Sequence, residues 1–146
     1  LGLALVAIGV AVGAWLRPIP QYHPPAPPTY TSQQIADAKA KVCAAYGKAD
    51  HAVMANTGRN GDDDPATQLG LAANARIALF DSGQYLLKIL GQEPATPHDL
   101  AEETRTLADH YQQLALQYMS EANDPELTST RKEVDRSASR LSEMCK

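Results

Sequence analysis

Four histidines, His23, His51, His98 and His110, are the first residues to test for proton transfer or metal ligation. None stands in an HxH or HExxH arrangement, and none has the spacing to cysteine that a zinc site uses. Asp50–His51 and Asp109–His110 are sequence neighbours, so on a helix the members of each pair point to different faces. No GxSxG elbow presents a serine nucleophile. The histidines read as solvated surface residues, and the chain as a non-enzyme with no catalytic residue, cofactor site or metal site.

Gly58-Arg59-Asn60-Gly61-Asp62-Asp63-Asp64 is the most unusual polar stretch. Its three carboxylates and asparagine are hard oxygen ligands of the kind calcium takes. It lacks the DxDxDG order and the distal glutamate, and the helix dipole alone accounts for acids ahead of a helix. Arg59 within it is a candidate contact for a partner or a lipid head group. Arg76, set among alanines and leucines, is a second candidate contact. Either its stem lies along the core edge, or it pairs with Asp109, Glu103 or Asp50.

The two cysteines, Cys43 and Cys145, have no metal-like spacing. In the cytosol they would be unrelated thiols, and in an exported protein one disulfide. The compartment therefore decides their chemistry, and the N-terminus speaks to the compartment. Leu1 to Leu16 carries no charge, and Arg17 and Pro18 end it. A run of that kind is most economically placed in a bilayer. Residues 1–17 read as a transmembrane anchor whose span begins before Leu1, because about 20 apolar residues are needed to cross. A cleaved signal peptide is the competing reading, but neither a small-x-small cleavage site nor a lipobox cysteine follows the run. Gly9 and Gly13 form a GxxxG step suited to close helix packing in lipid.

Residues 18–30 hold six of the ten prolines. They read as an extended, semi-rigid stalk rising about 3.1 Å per residue rather than as a proline docking motif. Residues 31–146 form the body, for which a formal net charge of −4 over the whole chain argues against nucleic acid as a partner. Abundant alanine, few aromatics and scattered β-branched residues favour helix.

Four helices are predicted at about 32–57, 65–90, 97–122 and 125–145. Thr31 and Gln34 are spaced as a capping box. Asp64-Pro65, Thr96-Pro97 and Asp124-Pro125 each place a capping side chain before a proline at the first helical position. Seams recur at Ile35, Val42, Tyr46, Ala49 and Val53. They recur again at Leu100, Leu107, Tyr111, Leu114 and Tyr118, and at Leu127, Val134, Ala138, Leu141 and Cys145. The second helix is apolar over a wider arc, from Leu69 through Ile77 and Phe80 to Leu90. That makes it the candidate for the most buried element or for a face that a partner covers, with Gly91 as its stop. Short links force antiparallel neighbours, so the fold class is all-α, an up-down-up-down four-helix bundle.

That layout tests the cysteines. A fourth helix of about twenty residues descends about 30 Å and brings Cys145 level with Cys43. The stripe Ala36, Ala40, Cys43 and Gly47 offers a close approach there. A Cys43–Cys145 disulfide is expected.

The stretches Tyr30-Thr31-Ser32-Gln33-Gln34-Ile35-Ala36-Asp37-Ala38-Lys39, Asn56-Thr57-Gly58-Arg59-Asn60, Leu71-Ala72-Ala73-Asn74-Ala75-Arg76, Pro94-Ala95-Thr96-Pro97 and Cys145-Lys146 accompany the anchor and stalk. As a set, this chain resembles a mycobacterial, actinobacterial family of small, single-pass, membrane-anchored Ala/Pro-rich proteins. The resemblance implies a cell-envelope location and supplies no active-site residues. The expected function is a non-enzymatic accessory subunit of an integral membrane protein complex (a transporter, secretion or respiratory assembly). It would be anchored in the lipid bilayer of the cell membrane with the bundle on the extracytoplasmic side. The alternative is a binding module for a lipid or other apolar ligand held between helices.

Overall fold

The Thr31 hydroxyl accepts from Gln34 N–H at 3.2 Å, and the Gln34 side chain accepts from Thr31 N–H at 2.8 Å. This reciprocal pair opens α1, Ser32–Thr57. The computed structural model describes residues 28–58 and 64–146, and every regular element among them is helical. α2 spans Pro65–Gln92, α3 His98–Met119 and α4 Asp124–Met144. The anchor with Gly9 and Gly13, most of the stalk, and Arg59 to Asp63 lie outside the described residues. Among the described residues no helix is long and apolar enough to cross a membrane.

Pairings between helices fix the topology. Lys41 meets Glu93 at 2.8 Å, while Ser82 donates to the carbonyl of Ala49 at 3.3 Å, so numbers rising on α1 fall on α2. On α3 and α4, Glu103 pairs with Arg140 at 3.0 Å, His110 with Ser137 at 3.2 Å and Tyr118 with Arg131 at 2.9 Å. Those two helices are also antiparallel. The four helices form an up-down-up-down bundle in which each packs on the next. Cys43 and Cys145 are bonded, with Cα atoms 5.5 Å apart, which ties the last helix back to the first.

Two helix starts differ from the sequence expectation by one residue. Asp64 caps α2 as expected, accepting from Thr67 N–H at 2.8 Å. At α3, however, Pro97 itself is the N-cap and no side chain caps the helix. Thr96 is held in the turn behind, its hydroxyl donating to the Glu93 carbonyl at 2.7 Å. At α4 the cap is Asn123, which accepts from Glu126 N–H at 3.1 Å. Asp124 then falls in the first turn, where its charge complements the helix dipole. The stops also move. α2 runs through Gly91 to Gln92, and α3 ends at Met119 rather than near 122. Glu121 adopts φ 54° and Ala122 N–H bonds the Gln117 carbonyl at 3.0 Å, a Schellman ending built on glutamate instead of glycine.

The core joins Val42, Ala49 and Val53 of α1 to Leu79, Leu86 and Leu90 of α2, Leu100, Leu107, Tyr111 and Leu114 of α3, and Val134 and Leu141 of α4. Contrary to expectation, α3 rather than α2 is the most buried helix, with eight buried residues in 22 against six in 28. The cause is register. Carrying the Ala49–Ser82 pairing outward places Thr57 about level with Asn74, one residue for one on antiparallel helices. The first turns of α2 therefore project past the end of α1, and residues 64–70 are all exposed. Ile35, expected in the α1 seam, is exposed as well. So are Ala36, Ala40 and Gly47, because α4 reaches α1 in that stripe only at Cys43.

Gly83 sets the closest approach of α2 to α3. A Cβ there would stand 2.8 Å from the Ala108 carbonyl oxygen and 2.9 Å from Gln112 Cγ. Real Cβ atoms do not come that near, so this residue admits the α3 backbone by having none.

Candidate functional site

α1 and α4 touch at the disulfide and at Tyr46, whose hydroxyl donates to the Ala138 carbonyl at 2.9 Å. Toward the other end a cleft of about 760 Å³ separates them. Tyr46, Asp50, Val53, Met54 and Thr57 of α1 form one wall. Arg131, Val134, Asp135, Ala138 and Ser139 of α4 form the opposite one. Leu79, Tyr111, Leu114 and Tyr118 supply the floor and far edge. The cleft exists because the staple is at one end only, and because α3 underlies both helices without filling the space between them.

The lining is mixed, with three tyrosines, aliphatic floor residues and charge at the rim. Tyr111 is almost wholly buried. Burial first, then the carboxylates of Asp50 and Asp135 together with Tyr46, pushes its phenol well above the ordinary range. Tyr46 moves in the same direction, through burial and then Asp50. Both shifts record an apolar, negatively biased environment that disfavours a second anion. The cation of the cleft, Arg131, lies with its guanidinium 5.5 Å from the centre of the Tyr118 ring and bonds its hydroxyl.

Comparison with known protein families, curated proteins and solved structures finds no match for this chain.

A second surface faces away from the cleft. Leu69, Ala73, Ile77 and Phe80 follow one another on α2 at spacings of four, four and three, which places them on one face. Gln112 of α3 abuts Gly83, and Leu116 and Met119 share its face at four and seven residues further on. Leu69, Ile77, Phe80, Leu116 and Met119 are between 39% and 68% exposed. They form an apolar ridge along the outer α2–α3 seam.

Among the residues singled out by sequence, the structure joins Cys43 to Cys145. Arg76 is partly buried, its Nε enclosed without a hydrogen-bond partner. Its expected acids are engaged elsewhere or turned away: Glu103 binds Arg140, Asp50 lines the cleft, and Asp109 is exposed. His110 shares a hydrogen bond with buried Ser137, His98 lies 3.5 Å from Glu102, and His51 is exposed. No group of three or more His, Cys, Asp or Glu among the described residues is arranged to hold a metal ion. Sequence reasoning placed Tyr46, Tyr111 and Tyr118 in seams, but did not see that they share one cleft with Asp50, Arg131 and Asp135. The available signal was the gathering of three of the six tyrosines on α1, which forms one wall, and α3, which forms the floor.

Proposed function

We propose that this chain is a non-enzymatic accessory subunit: a single-pass anchor in the cell membrane carrying a disulfide-locked bundle that docks an envelope membrane complex outside the cytoplasm. One observation carries the reading. The exposed large apolar side chains sit mostly away from the end at which the chain enters the bundle. Among the described residues, Met54, Leu69, Ile77, Leu116 and Met119 occupy the half remote from the Cys43–Cys145 bridge and Phe80 its middle, with Ile35 on the other side of the bridge. A contiguous apolar ridge on a small domain is a mark of an interaction surface. The bridge supports an oxidising compartment, and the charge-free run Leu1–Leu16 supports the bilayer. Gly9 and Gly13 would pack against a membrane partner, and Arg59, two residues after Thr57 in the sequence, would be a further contact. The resemblance to anchored mycobacterial proteins points to the same place. Tagged full-length chain purified in mild detergent should bring down a defined set of membrane proteins. Replacing Ile77 and Phe80 by serine should release them. Recovery of the chain alone would count against the subunit reading.

The cleft favours a second reading, a ligand-binding module. Its rim carries Asp50, Arg131 and Asp135, so a wholly apolar lipid fits it poorly. Any occupant must bring charge.

A further inference from the structure

The cleft between α1 and α4 has one wall that already demonstrates what it can hold. Arg131 stacks its guanidinium on Tyr118 and donates Nε–H to the phenol oxygen at 2.9 Å. An aromatic face attracts a cation through its quadrupole, and a tyrosine adds an acceptor at the ring's edge. Farther along the same cleft, Tyr46 and Tyr111 have no such cation. They lie within the influence of Asp50 and Asp135, whose carboxylates form no hydrogen bond or ion pair with any described residue. Four glutamates of the bundle are answered by cations: Glu93 by Lys41, Glu103 by Arg140, Glu133 by Arg136, and Glu143, at the bridge end of the cleft, by Lys146. In this cleft carboxylates from two different helices, Asp50 and Asp135, face a single cation, Arg131, whose guanidinium is committed to Tyr118. Val53 and Val134 on its walls and Leu79 and Leu114 on its floor are aliphatic. From Tyr46 to Thr57 the cleft follows α1 for roughly 16 Å, at about 1.5 Å per residue, which suits a short polypeptide better than a single ion.

We propose that this cleft receives a basic amphipathic segment of a partner protein. Aliphatic side chains of that segment would lie on the floor, and a lysine or arginine would stand between Asp50 and Asp135 beside the half-buried Tyr46 ring. The inference rests on the docking-module reading and adds to the α2–α3 ridge a second contact surface, with the chemistry of the segment it takes. It follows the helix-in-groove mode, in which apolar anchors supply contact and charge sets register.

The test uses the full chain in zwitterionic phosphatidylcholine nanodiscs, with empty nanodiscs as the blank. The probe is a fluorescein-labelled 14-residue leucine–lysine amphipathic peptide, read by anisotropy beside its leucine–glutamate counterpart. Saturable binding of the lysine peptide alone is expected. Asp50→Asn combined with Asp135→Asn should weaken it about tenfold, the loss of a paired, partly desolvated charge contact. Asp81→Asn with Asp109→Asn, which removes the same charge from exposed sites outside the cleft, should change it by less than about twofold. Because Asp50 and Asp135 hold no partner, the asparagine variants should melt with the wild type, and that melt is measured alongside. Equal binding by the Asp50/Asp135 variant overturns the proposal. So does equal weakening by both variant pairs, or tight binding of the glutamate peptide. Binding of n-butylammonium as strong as that of the peptide also overturns it, by making the cleft a small-amine site. If the peptide fails while tagged chain still captures a membrane partner, the cleft assignment falls and the docking-module reading stands.

Discussion

Cys43, midway along α1, and Cys145, at the last turn of α4, are joined across 102 residues of sequence with Cα atoms 5.5 Å apart. The bond closes the bundle where α1 and α4 otherwise meet at little more than the Tyr46–Ala138 hydrogen bond. Beyond that level the two helices part around the cleft. The staple therefore substitutes for packing that the sequence does not provide along this seam.

Its removal has a defined consequence. Replacing both cysteines by alanine should lower stability by about 2–5 kcal/mol, since the loop closed is long and the unfolded chain regains its freedom. α4 should loosen first, because α2 and α3 keep their own buried neighbours. Urea melts of oxidised, reduced and double-variant protein measure the first effect, and hydrogen exchange on α4 amides the second.

Gly83 and Gly47 make an opposed pair. At Gly83 an added methyl meets the Ala108 carbonyl at 2.8 Å, so Gly83→Ala should force α2 from α3 and cost about 1–3 kcal/mol. At Gly47 nothing lies within 4 Å, and Gly47→Ala should stabilise by about 0.5–1 kcal/mol through the unfolded state. Thermal melts of the two variants should move in opposite directions.

Glu121 pays a conformational cost at φ 54° that glycine would not. Glu121→Gly should keep the Ala122–Gln117 hydrogen bond and raise stability by about 0.5–1 kcal/mol. A fall in denaturation midpoint for this variant would contradict the left-handed ending of α3.

Alkaline pH probes the floor of the cleft. Tyr111 has its phenol pKa raised in the folded state by burial and by Asp50, Tyr46 and Asp135. A raised folded value means that its contribution is complete below the unfolded tyrosine value near 10. It is lost as pH climbs from there toward the folded value. Stability should therefore fall above about pH 10, and Tyr111→Phe should flatten that slope. Denaturant midpoints between pH 8 and 11 give the comparison.

Much of this architecture was legible in the residues, for reasons that are local. Thr31 with Gln34 and Asp64 with Pro65 announced two helix starts because capping is decided within four residues. The Cys43–Cys145 bridge followed from helix lengths and short links. What escaped was set by register between distant helices. The overhang of α2, which leaves Leu69 in solvent, depends on where Ser82 meets Ala49. The cleft depends on α4 reaching α1 only near Tyr46, and no seam pattern on either helix alone encodes that separation. Thr96 failed as a cap because its hydroxyl was taken by the turn that precedes it, a competition invisible in the Thr-Pro pair.

The central claim is that the outer α2–α3 ridge of a membrane-anchored bundle docks a partner. A photoreactive side chain at position 77, on the ridge, tests it in intact envelope membranes, with position 88, exposed on the same helix nearer the bridge, as its companion. The account predicts one discrete crosslinked membrane protein from position 77, none from position 88, and the chain itself in the membrane fraction. Crosslinks absent from both positions, or the same from both, or a chain that leaves with the soluble proteins, would contradict it.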